Sequence, residues 1–298
     1  MREYTKPYLT VEQQISLLQE RGMLIEDPVA AREALSQVSY YRLSAYWYPF
    51  RKEDCSDQFK PGTSFSEVLR IYEFDRRLRL VVLDGIEGVE VRVRTCLIDV
   101  IGWLFGPFGH RDEEVARDKT THRDWLNRLD EEVGRSKEVF ISHFRSTYLG
   151  YPKIPIWMAL EVASLGSLSK LFSNLVSDLQ ARICNKLSAP HPVVFGSWLH
   201  SLTYVRNICA HHSRLWNREL AVAPKWPAKE NQHRAPPKRI YTLLLIVHQL
   251  LQQTSIQKRW HLEVCRLLGE AKPAWRKGMG VPENWEETGP FSRHPEVS

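Results

Sequence analysis

Residues 65–103 read FSEVLRIYEFDRRLRLVVLDGIEGVEVRVRTCLIDVIGW, and this is the longest stretch of the chain with a regular apolar pattern. Its apolar residues recur every three or four positions, which is the period of an amphipathic α-helix. They are Val68, Ile71, Tyr72, Leu78, Val82, Ile86, Val89 and Val93. Gly85 and Gly88 fall inside the pattern and indicate close packing against another element or a kink. The stretch therefore predicts one long helix.

The other face of this predicted helix carries arginines interleaved with acidic residues. Its charged residues are Arg76, Arg77, Arg79, Asp84, Glu87, Glu90, Arg92 and Arg94. Opposite charges at three- and four-residue spacing are typical of a helix surface that faces water and forms ion pairs along itself. We therefore expect this face to be solvated.

Helical patterns continue on both sides of this stretch. Thr10 and Gln13 form a capping box that begins a first helix, and Asp27 with Pro28 begins a second. Further helical patterns cover residues 123–148, 156–178, 192–216 and 241–270, the last as one helix or a helix pair. No run of alternating apolar and polar residues indicates a strand. The sequence predicts an all-α fold, built as a helical bundle.

Composition along the chain divides it into three predicted regions. Residues 1–64 contain an aromatic cluster and form an N-terminal helical extension packed on the core, and residues 65–270 form the helical domain. Residues 271–298 are rich in Pro and Gly, which interrupt helices, so they form an irregular tail. That tail is either disordered or anchored to the body by Trp275 and Trp285. A loop with four prolines is predicted over residues 221–239.

The overall composition limits the classes of protein to consider. Of the 298 residues, 43% are hydrophobic and 26% charged, which is typical of a globular chain and excludes a disordered one. No apolar run reaches the length of a membrane span, and the N-terminus lacks an apolar signal core, so a cytoplasmic protein with no membrane contact is expected. The five cysteines are widely spaced and predict no disulfide framework. The net charge of +6 favours a polyanionic partner.

The densest set of chemically active side chains lies in residues 204–218, YVRNICAHHSRLWNR. Asn207 and His211 are four residues apart, so a helix places them on one face, and Tyr204 joins that face one turn earlier. Arg206 lies roughly 140° around the helix from His211 and is long enough to bend toward it. Arg206, Asn207 and His211 are therefore the candidate catalytic residues.

These three residue types suit the cleavage of RNA without a metal ion. Histidine can give or take a proton near neutral pH, and arginine forms a planar fork that matches a phosphate and the charge developing on it. Asparagine can orient the imidazole or a substrate oxygen. The 2′-hydroxyl of RNA is an internal nucleophile, so the protein need not supply one.

Two other interpretations of the same segment are open. The polar residues could belong to a buried helix and only form hydrogen bonds with each other. Alternatively, Cys209, His212 and the upstream His200 could hold a metal ion, but no second close pair completes a tetrahedral zinc site. The sequence accordingly predicts no metal and no cofactor.

Four blocks in order along the chain resemble the Abi family of bacterial abortive-infection proteins, in its AbiD/AbiF-like group. The blocks are SYYRLSAYWYPF (39–50); YEFDRRLR (72–79) with IEGVEVRVR (86–94); PIWMALE (155–161) with LGSLSK (165–170); and WLHSLTYVRNICAHHSRLW (198–216). Together they span roughly residues 10–220, and a weaker likeness continues in the Trp-bearing tail. Because the likeness extends over several blocks, it is more specific than any single motif.

This resemblance implies a HEPN-like helical bundle and a HEPN ribonuclease motif, in which an Arg and a polar residue precede a His. Arg206, Asn207 and His211 match that motif residue by residue. The implied activity is an endoribonuclease that leaves a 2′,3′-cyclic phosphate and acts in defence against phage. HEPN nucleases commonly form homodimers in which two motifs share one composite site.

The partners expected from this resemblance are a target RNA and, as in some relatives, a small noncoding RNA. Residues expected to hold the RNA are Tyr204, His212, Arg214 and Arg218. Two alternatives are kept: a noncatalytic RNA-binding protein that holds a noncoding RNA, and a structural interaction protein of defence systems.

Overall fold

The computed structural model describes Glu3, Thr5 and residues 7–54, 57–227 and 235–292. Within these residues the chain forms thirteen α-helices and no β-strand, so the prediction of an all-α fold is confirmed. The helices are α1 (Val11–Glu20), α2 (Pro28–Gln37), α3 (Tyr40–Trp47), α4 (Phe65–Phe105), α5 (Lys119–Arg135), α6 (Val139–Thr147), α7 (Ile156–Val162), α8 (Leu165–Asn174), α9 (Ser177–Leu187), α10 (Pro192–Ala210), α11 (Ile240–Leu251), α12 (Gln257–Glu270) and α13 (Pro273–Met279).

The chain divides into two compact units, Met1–Arg79 and Leu80–Ser298, and the boundary falls inside α4. The predicted division into three regions at residues 64 and 270 stays a prediction. Cys55, part of the predicted loop (228–234) and the end of the predicted tail (293–298) lie outside the described residues. None of the helices in the described ranges combines the length and the apolar character needed to cross a membrane.

The first unit begins with the two capped helices that the sequence predicts. The Thr10 hydroxyl accepts a hydrogen bond from the backbone N–H of Gln13, and the Gln13 side chain accepts one from the backbone N–H of Thr10. The Asp27 carboxylate accepts bonds from the first backbone amides of α2. These caps satisfy donors that the helix itself leaves unpaired. Both capping predictions are confirmed.

One ion pair in the first unit corrects the expectation of a solvated charged face. Asp75 and Arg79 pair one turn apart on α4, yet they are only 0% and 5% exposed. The Tyr46 hydroxyl donates to the Asp75 carboxylate over 2.7 Å, and the Arg79 guanidinium donates to the Tyr46 oxygen over 3.1 Å. Spacing along α4 does not reveal this burial, because it depends on the aromatic α3 packed against that face.

In the second unit, α4 continues unbroken through Gly85 and Gly88. A Cβ atom at Gly85 would overlap the Trp260 indole, and one at Gly88 would overlap the Ile256 side chain. The Trp260 Nε1–H donates to the carbonyl oxygen of Val81 over 2.8 Å, which holds α12 against this surface. Of the two meanings proposed for these glycines, close packing is the one observed.

Three predicted helix ranges are wrong in their boundaries. The range 123–148 is two helices, α5 and α6, because the chain leaves the helical conformation at Ser136. The range 156–178 is interrupted at Ser164, whose hydroxyl caps α8, and again at Leu175 before α9 begins. The range 192–216 is helical only to Ala210. The range 241–270 is the helix pair α11 and α12.

The predicted tail is partly ordered on the second unit. Trp275, on α13, is 7% exposed, and Trp285 is 1% exposed. The Trp216 Nε1–H donates to the Trp275 carbonyl oxygen over 3.2 Å. The anchored form of the tail is therefore the one observed over residues 271–292.

Helices α5, α8 and α10 form the layer that carries the candidate site. Phe172 of α8 packs edge-on against Phe195 near the start of α10, and Gly166 at the start of α8 lies beside Thr203 further along α10. The two helices are therefore antiparallel. Trp125 of α5 donates its Nε1–H to Ser167 of α8 over 3.0 Å. α10 is thus held by buried neighbours along its length.

Candidate active site at the end of helix α10

Helix α10 has a buried face and an exposed face, and the candidate catalytic residues lie on the exposed surface. The helical pattern of residues 192–216 predicts one apolar stripe of Trp198, Leu202, Val205, Cys209 and His212, and the first four of these are buried. Arg206, Asn207 and His211 are exposed, and Tyr204 is half-buried. The burial that the alternative interpretation requires is therefore not observed for these three residues.

The candidate catalytic residues follow one another at the C-terminal end of α10. The Arg206 guanidinium donates to the Asn207 amide oxygen over 3.5 Å. The backbone N–H of His211 donates to the Asn207 carbonyl oxygen over 3.0 Å. The Asn207 side chain accordingly contacts Arg206, whereas its backbone fixes the position of His211. This arrangement presents a guanidinium, an amide and an imidazole to solvent at one helix end.

The end of α10 is set by His212, which takes a left-handed backbone conformation with a φ of 55°. Its N–H donates to the Cys209 carbonyl oxygen, and the Ser213 N–H donates to that of Ile208, each over 3.0 Å. These two bonds form a Schellman motif, in which glycine is the usual left-handed residue.

The observed position of His212 corrects its predicted place on the apolar stripe. His212 is exposed and lies beyond the helix. The sequence contains no glycine or proline at this point, so the usual signal for a helix end is missing.

The segment after α10 places the two arginines expected to bind RNA next to each other. The Arg218 guanidinium donates to the Arg214 carbonyl oxygen over 3.1 Å, and both residues are half-buried. Between them, Leu215 and Trp216 are buried. This segment is therefore anchored to the core and keeps Arg214 and Arg218 close to the end of α10.

Sequence reasoning missed the residues that support this segment from a distance. Asn217 has a φ of 50°, and its side-chain oxygen accepts a hydrogen bond of 3.3 Å from Arg239. A Cβ atom at Gly278 of α13 would come within 3.3 Å of Asn217 and of Trp216. The one feature of the sequence that could have indicated these contacts was the pair of tryptophans in the tail. Residues 239 and 275–278 are far along the chain from residues 216–217, so no local pattern connects them.

The alternative metal site does not form in the described part of the chain. Cys209 is 1% exposed, whereas His212 is exposed and lies past the helix end. Within the described ranges, no group of three or more His, Cys, Asp or Glu side chains is arranged to hold a metal ion. The four described cysteines, Cys96, Cys184, Cys209 and Cys265, form no disulfide.

Comparison with known proteins places the candidate site inside a recognised family region. The family model described as Abi-like protein matches residues 33–217, which includes all of α10 and the Arg206–His211 motif. No curated protein and no solved structure matches the chain.

Proposed function

The chain belongs to the family of Abi-like proteins, and we propose that it is a HEPN-type endoribonuclease that cuts RNA in abortive-infection defence against phage. The observation that carries the proposal is the joint exposure of Arg206, Asn207 and His211 on the last turn of α10. If these polar side chains served only the folding of the protein, they would be expected to form hydrogen bonds in its interior, because buried polar groups require partners. This set faces solvent, where a substrate can reach it.

In the proposed reaction the RNA supplies its own nucleophile. The 2′-hydroxyl oxygen attacks the adjacent phosphorus and loses its proton to a base, while the 5′-oxygen leaves and takes up a proton from an acid. The products are a 2′,3′-cyclic phosphate and a 5′-hydroxyl. His211 acts as the base or the acid, which typically contributes about 10²–10⁴-fold to the rate.

Arg206 and Asn207 act on the phosphate and its surroundings in this proposal. The Arg206 fork stabilises the negative charge that grows on the phosphate oxygens in the transition state. Asn207 holds the Arg206 guanidinium through its amide oxygen. Tyr204, His212, Arg214 and Arg218 hold the RNA strand, and the reaction needs no metal ion.

The experiment that tests this function compares three variants on a labelled RNA in excess EDTA. His211→Ala and Arg206→Ala are expected to lower cleavage by about 10²-fold or more, because each removes a group that acts on the reacting atoms. His143→Ala is the matched control, because His143 is also an exposed histidine but lies on α6 and is not part of this motif. Wild-type products are expected to end in 2′,3′-cyclic phosphate. Cleavage that needs added divalent metal and leaves 3′-hydroxyl ends would contradict the mechanism.

We propose further that the active species is a homodimer in which two motifs form one site. In-line cleavage needs both a base and an acid, and one copy of the motif offers His211 alone. A two-fold axis beside the exposed end of α10 would bring the same patch from both chains together. The exposed position of His212 makes it the competing source of the second imidazole within one chain.

Mixing inactive and active chains separates these two sources. His211→Ala protein is added in excess to wild type, and activity is measured per wild-type chain after subunit exchange has been verified. A composite site predicts that activity falls as mixed dimers replace wild-type dimers. Activity that follows the number of wild-type chains alone, together with its loss in His212→Ala, would assign the second imidazole to the same chain.

The proposed RNA partners are identified by sequencing the RNA that copurifies with the His211→Ala chain. A cleavage-deficient chain is expected to retain its target and any small noncoding RNA. Retention of a noncoding RNA by a wild-type chain that cleaves no RNA would instead favour the noncatalytic RNA-binding alternative.

A further inference from the structure

A cleft of about 740 Å³ lies in the second unit between α5, α8 and the first half of α10. None of its lining residues belongs to the predicted set of catalytic or RNA-holding residues. Three of its walls carry a cation, namely Arg128 on α5, Lys170 on α8 and Lys225 in the chain after α10. The cleft is therefore a separate feature of the surface.

The charge of the cleft is strongly positive. Arg128, Lys170 and Lys225 are exposed, and no ion pair joins any of them to a carboxylate in the described part of the chain. Arg117 also lines the cleft and donates to the Ser173 carbonyl oxygen. Asp124 is the single carboxylate among the lining residues. Four cations against one anion favour an anionic occupant.

Hydrogen bonds hold the walls of the cleft in place. Trp125 of α5 is bonded to Ser167 of α8. The backbone N–H of Lys225 donates to the Ser197 hydroxyl over 2.9 Å, and the Lys225 carbonyl oxygen accepts from Trp198 Nε1 over 2.7 Å. The position of Lys225 is thus fixed by α10, although it lies far along the chain. A rigid site loses less entropy on binding than a flexible one.

Helix α10 connects the cleft to the candidate active site. Ser197 and His200 line the cleft, and Tyr204, Asn207 and His211 follow at the three- and four-residue spacing of one helix face. His200 is exposed, as are Asn207 and His211. From His200 to His211 the helix axis rises roughly 16 Å, which a stacked strand covers with about five nucleotides at 3.4 Å each.

We propose that this cleft binds the phosphates of the same single RNA strand whose scissile phosphate lies at Arg206 and His211. This inference rests on the proposed ribonuclease function. The strand would follow the exposed face of α10, with its backbone at Arg128, Lys170 and Lys225 and with His200 available for stacking on a base. Positively charged grooves with stacking side chains are the general means of binding single strands.

The size of the cleft favours one strand over a duplex. A volume of about 740 Å³ lies within the range of roughly 300–1,000 Å³ that holds compact ligands. An RNA duplex presents a broad surface and is bound across its minor groove by extended contacts. A short stretch of one strand fits a concave site enclosed by three helices.

The test uses paired charge-removing variants that change the net charge of the chain equally. The cleft pair is Lys170→Gln with Lys225→Gln, and the control pair is Lys137→Gln with Lys153→Gln. Both control lysines are exposed, lie outside the cleft and make no ion pair with a described residue. The probe is a short fluorescein-labelled RNA strand with 2′-O-methyl groups, which cannot be cleaved by its own 2′-oxygen.

Binding is measured by fluorescence anisotropy at several salt concentrations. The cleft pair is expected to bind about tenfold more weakly, with a slope of log affinity against log salt that is smaller by about 1.4, because two phosphate contacts are lost. The control pair is expected to bind like wild type. Equal loss in both pairs would overturn the proposal, as would competition by a mononucleotide as effective as that of the strand.

A cleavage assay distinguishes failure of the cleft from failure of the proposed function. On a cleavable strand, the cleft pair is expected to raise KM more than it lowers kcat, whereas Arg206→Ala lowers kcat. If wild type cleaves RNA but the two double-lysine variants bind RNA with equal affinity, the cleft proposal is wrong and the ribonuclease proposal is unaffected. If wild type cleaves no RNA but the cleft pair still binds RNA more weakly, the ribonuclease proposal is wrong. The proposal that one strand occupies both the cleft and the catalytic motif is then wrong as well, and the cleft remains an RNA-binding site.

Discussion

The backbone N–H of His211 donates a 3.0 Å hydrogen bond to the carbonyl oxygen of Asn207, and this bond closes the last α-helical turn of α10. The next residue, His212, has a positive φ and leaves the helix. Two adjacent histidines therefore have different backbone environments. His211 is held in register with Asn207 by the helix, whereas His212 forms the left-handed residue of the turn that ends it.

We expect His212→Gly to be more stable than His212→Ala by about 1 kcal/mol, because a Cβ atom is unfavourable in the left-handed conformation. Both variants remove the imidazole and its contacts, so the difference between them isolates the backbone effect. The measurement is the free energy of unfolding in urea. Equal stability of the two variants would contradict the left-handed conformation at this position.

Gly85→Ala is expected to destabilise the protein by about 1–3 kcal/mol, because the added methyl group overlaps the Trp260 indole and forces α12 away from α4. The matched control is Gly134→Ala on α5, where a Cβ atom would meet no other atom within 4 Å. That control is expected to stabilise by about 0.5–1 kcal/mol through the better helix propensity of alanine. Thermal or urea unfolding of both variants checks that the two substitutions change the free energy of unfolding in opposite directions.

Asp75→Asn is expected to destabilise the protein by about 3–5 kcal/mol, because it removes the carboxylate charge that pairs with the buried Arg79 guanidinium. Asp178→Asn is the matched control. Asp178 also pairs with an arginine four residues later, Arg182, at 2.7 Å, but both side chains are more than half exposed. Its loss is expected to cost about 0.5 kcal/mol or less. Similar losses of unfolding free energy in the two variants, measured in urea, would show that burial does not strengthen the contribution of the Asp75–Arg79 pair to stability.

The stability of the protein is expected to fall as the pH drops below the ordinary pKa of histidine. His110 is fully buried, both of its ring nitrogens lack hydrogen-bond partners, and burial together with the Arg111 charge lowers its pKa from 6.5 to about 3. Between these values the unfolded chain binds a proton that the folded chain does not. Stability is thus fully present above the unfolded pKa and is lost as the pH falls toward the folded one.

For His110 alone, this loss amounts to about 2 kcal/mol on going from about pH 7.5 to about pH 5. His248 adds to it, because burial and the neighbouring His261 lower its pKa to about 4. Urea unfolding at both pH values measures the loss. His110→Phe is expected to reduce the pH dependence, and His143→Phe, at an exposed position on α6, is expected to leave it unchanged.

The features that local sequence could predict are those with a local physical cause. The apolar period of residues 65–103 predicted α4 as one long helix, and the cap residues Thr10 and Asp27 predicted where two helices begin. The four-residue spacing of Asn207 and His211 predicted that they share one face of α10. Periodicity, caps and i,i+4 spacing act between neighbours in the chain, so these predictions required no knowledge of the fold.

The sequence by itself therefore determined the all-α class, the family and the grouping of Arg206, Asn207 and His211. Tertiary structure decided which polar groups are buried, since the same Asp–Arg spacing is buried at Asp75 and exposed at Asp178. It also ended α10 at Ala210 without a glycine, and it brought Lys225 to the same cleft as Lys170. The physical reason is that burial, left-handed turns and distant charge clusters depend on what packs against a residue, and that is set by segments remote in the chain.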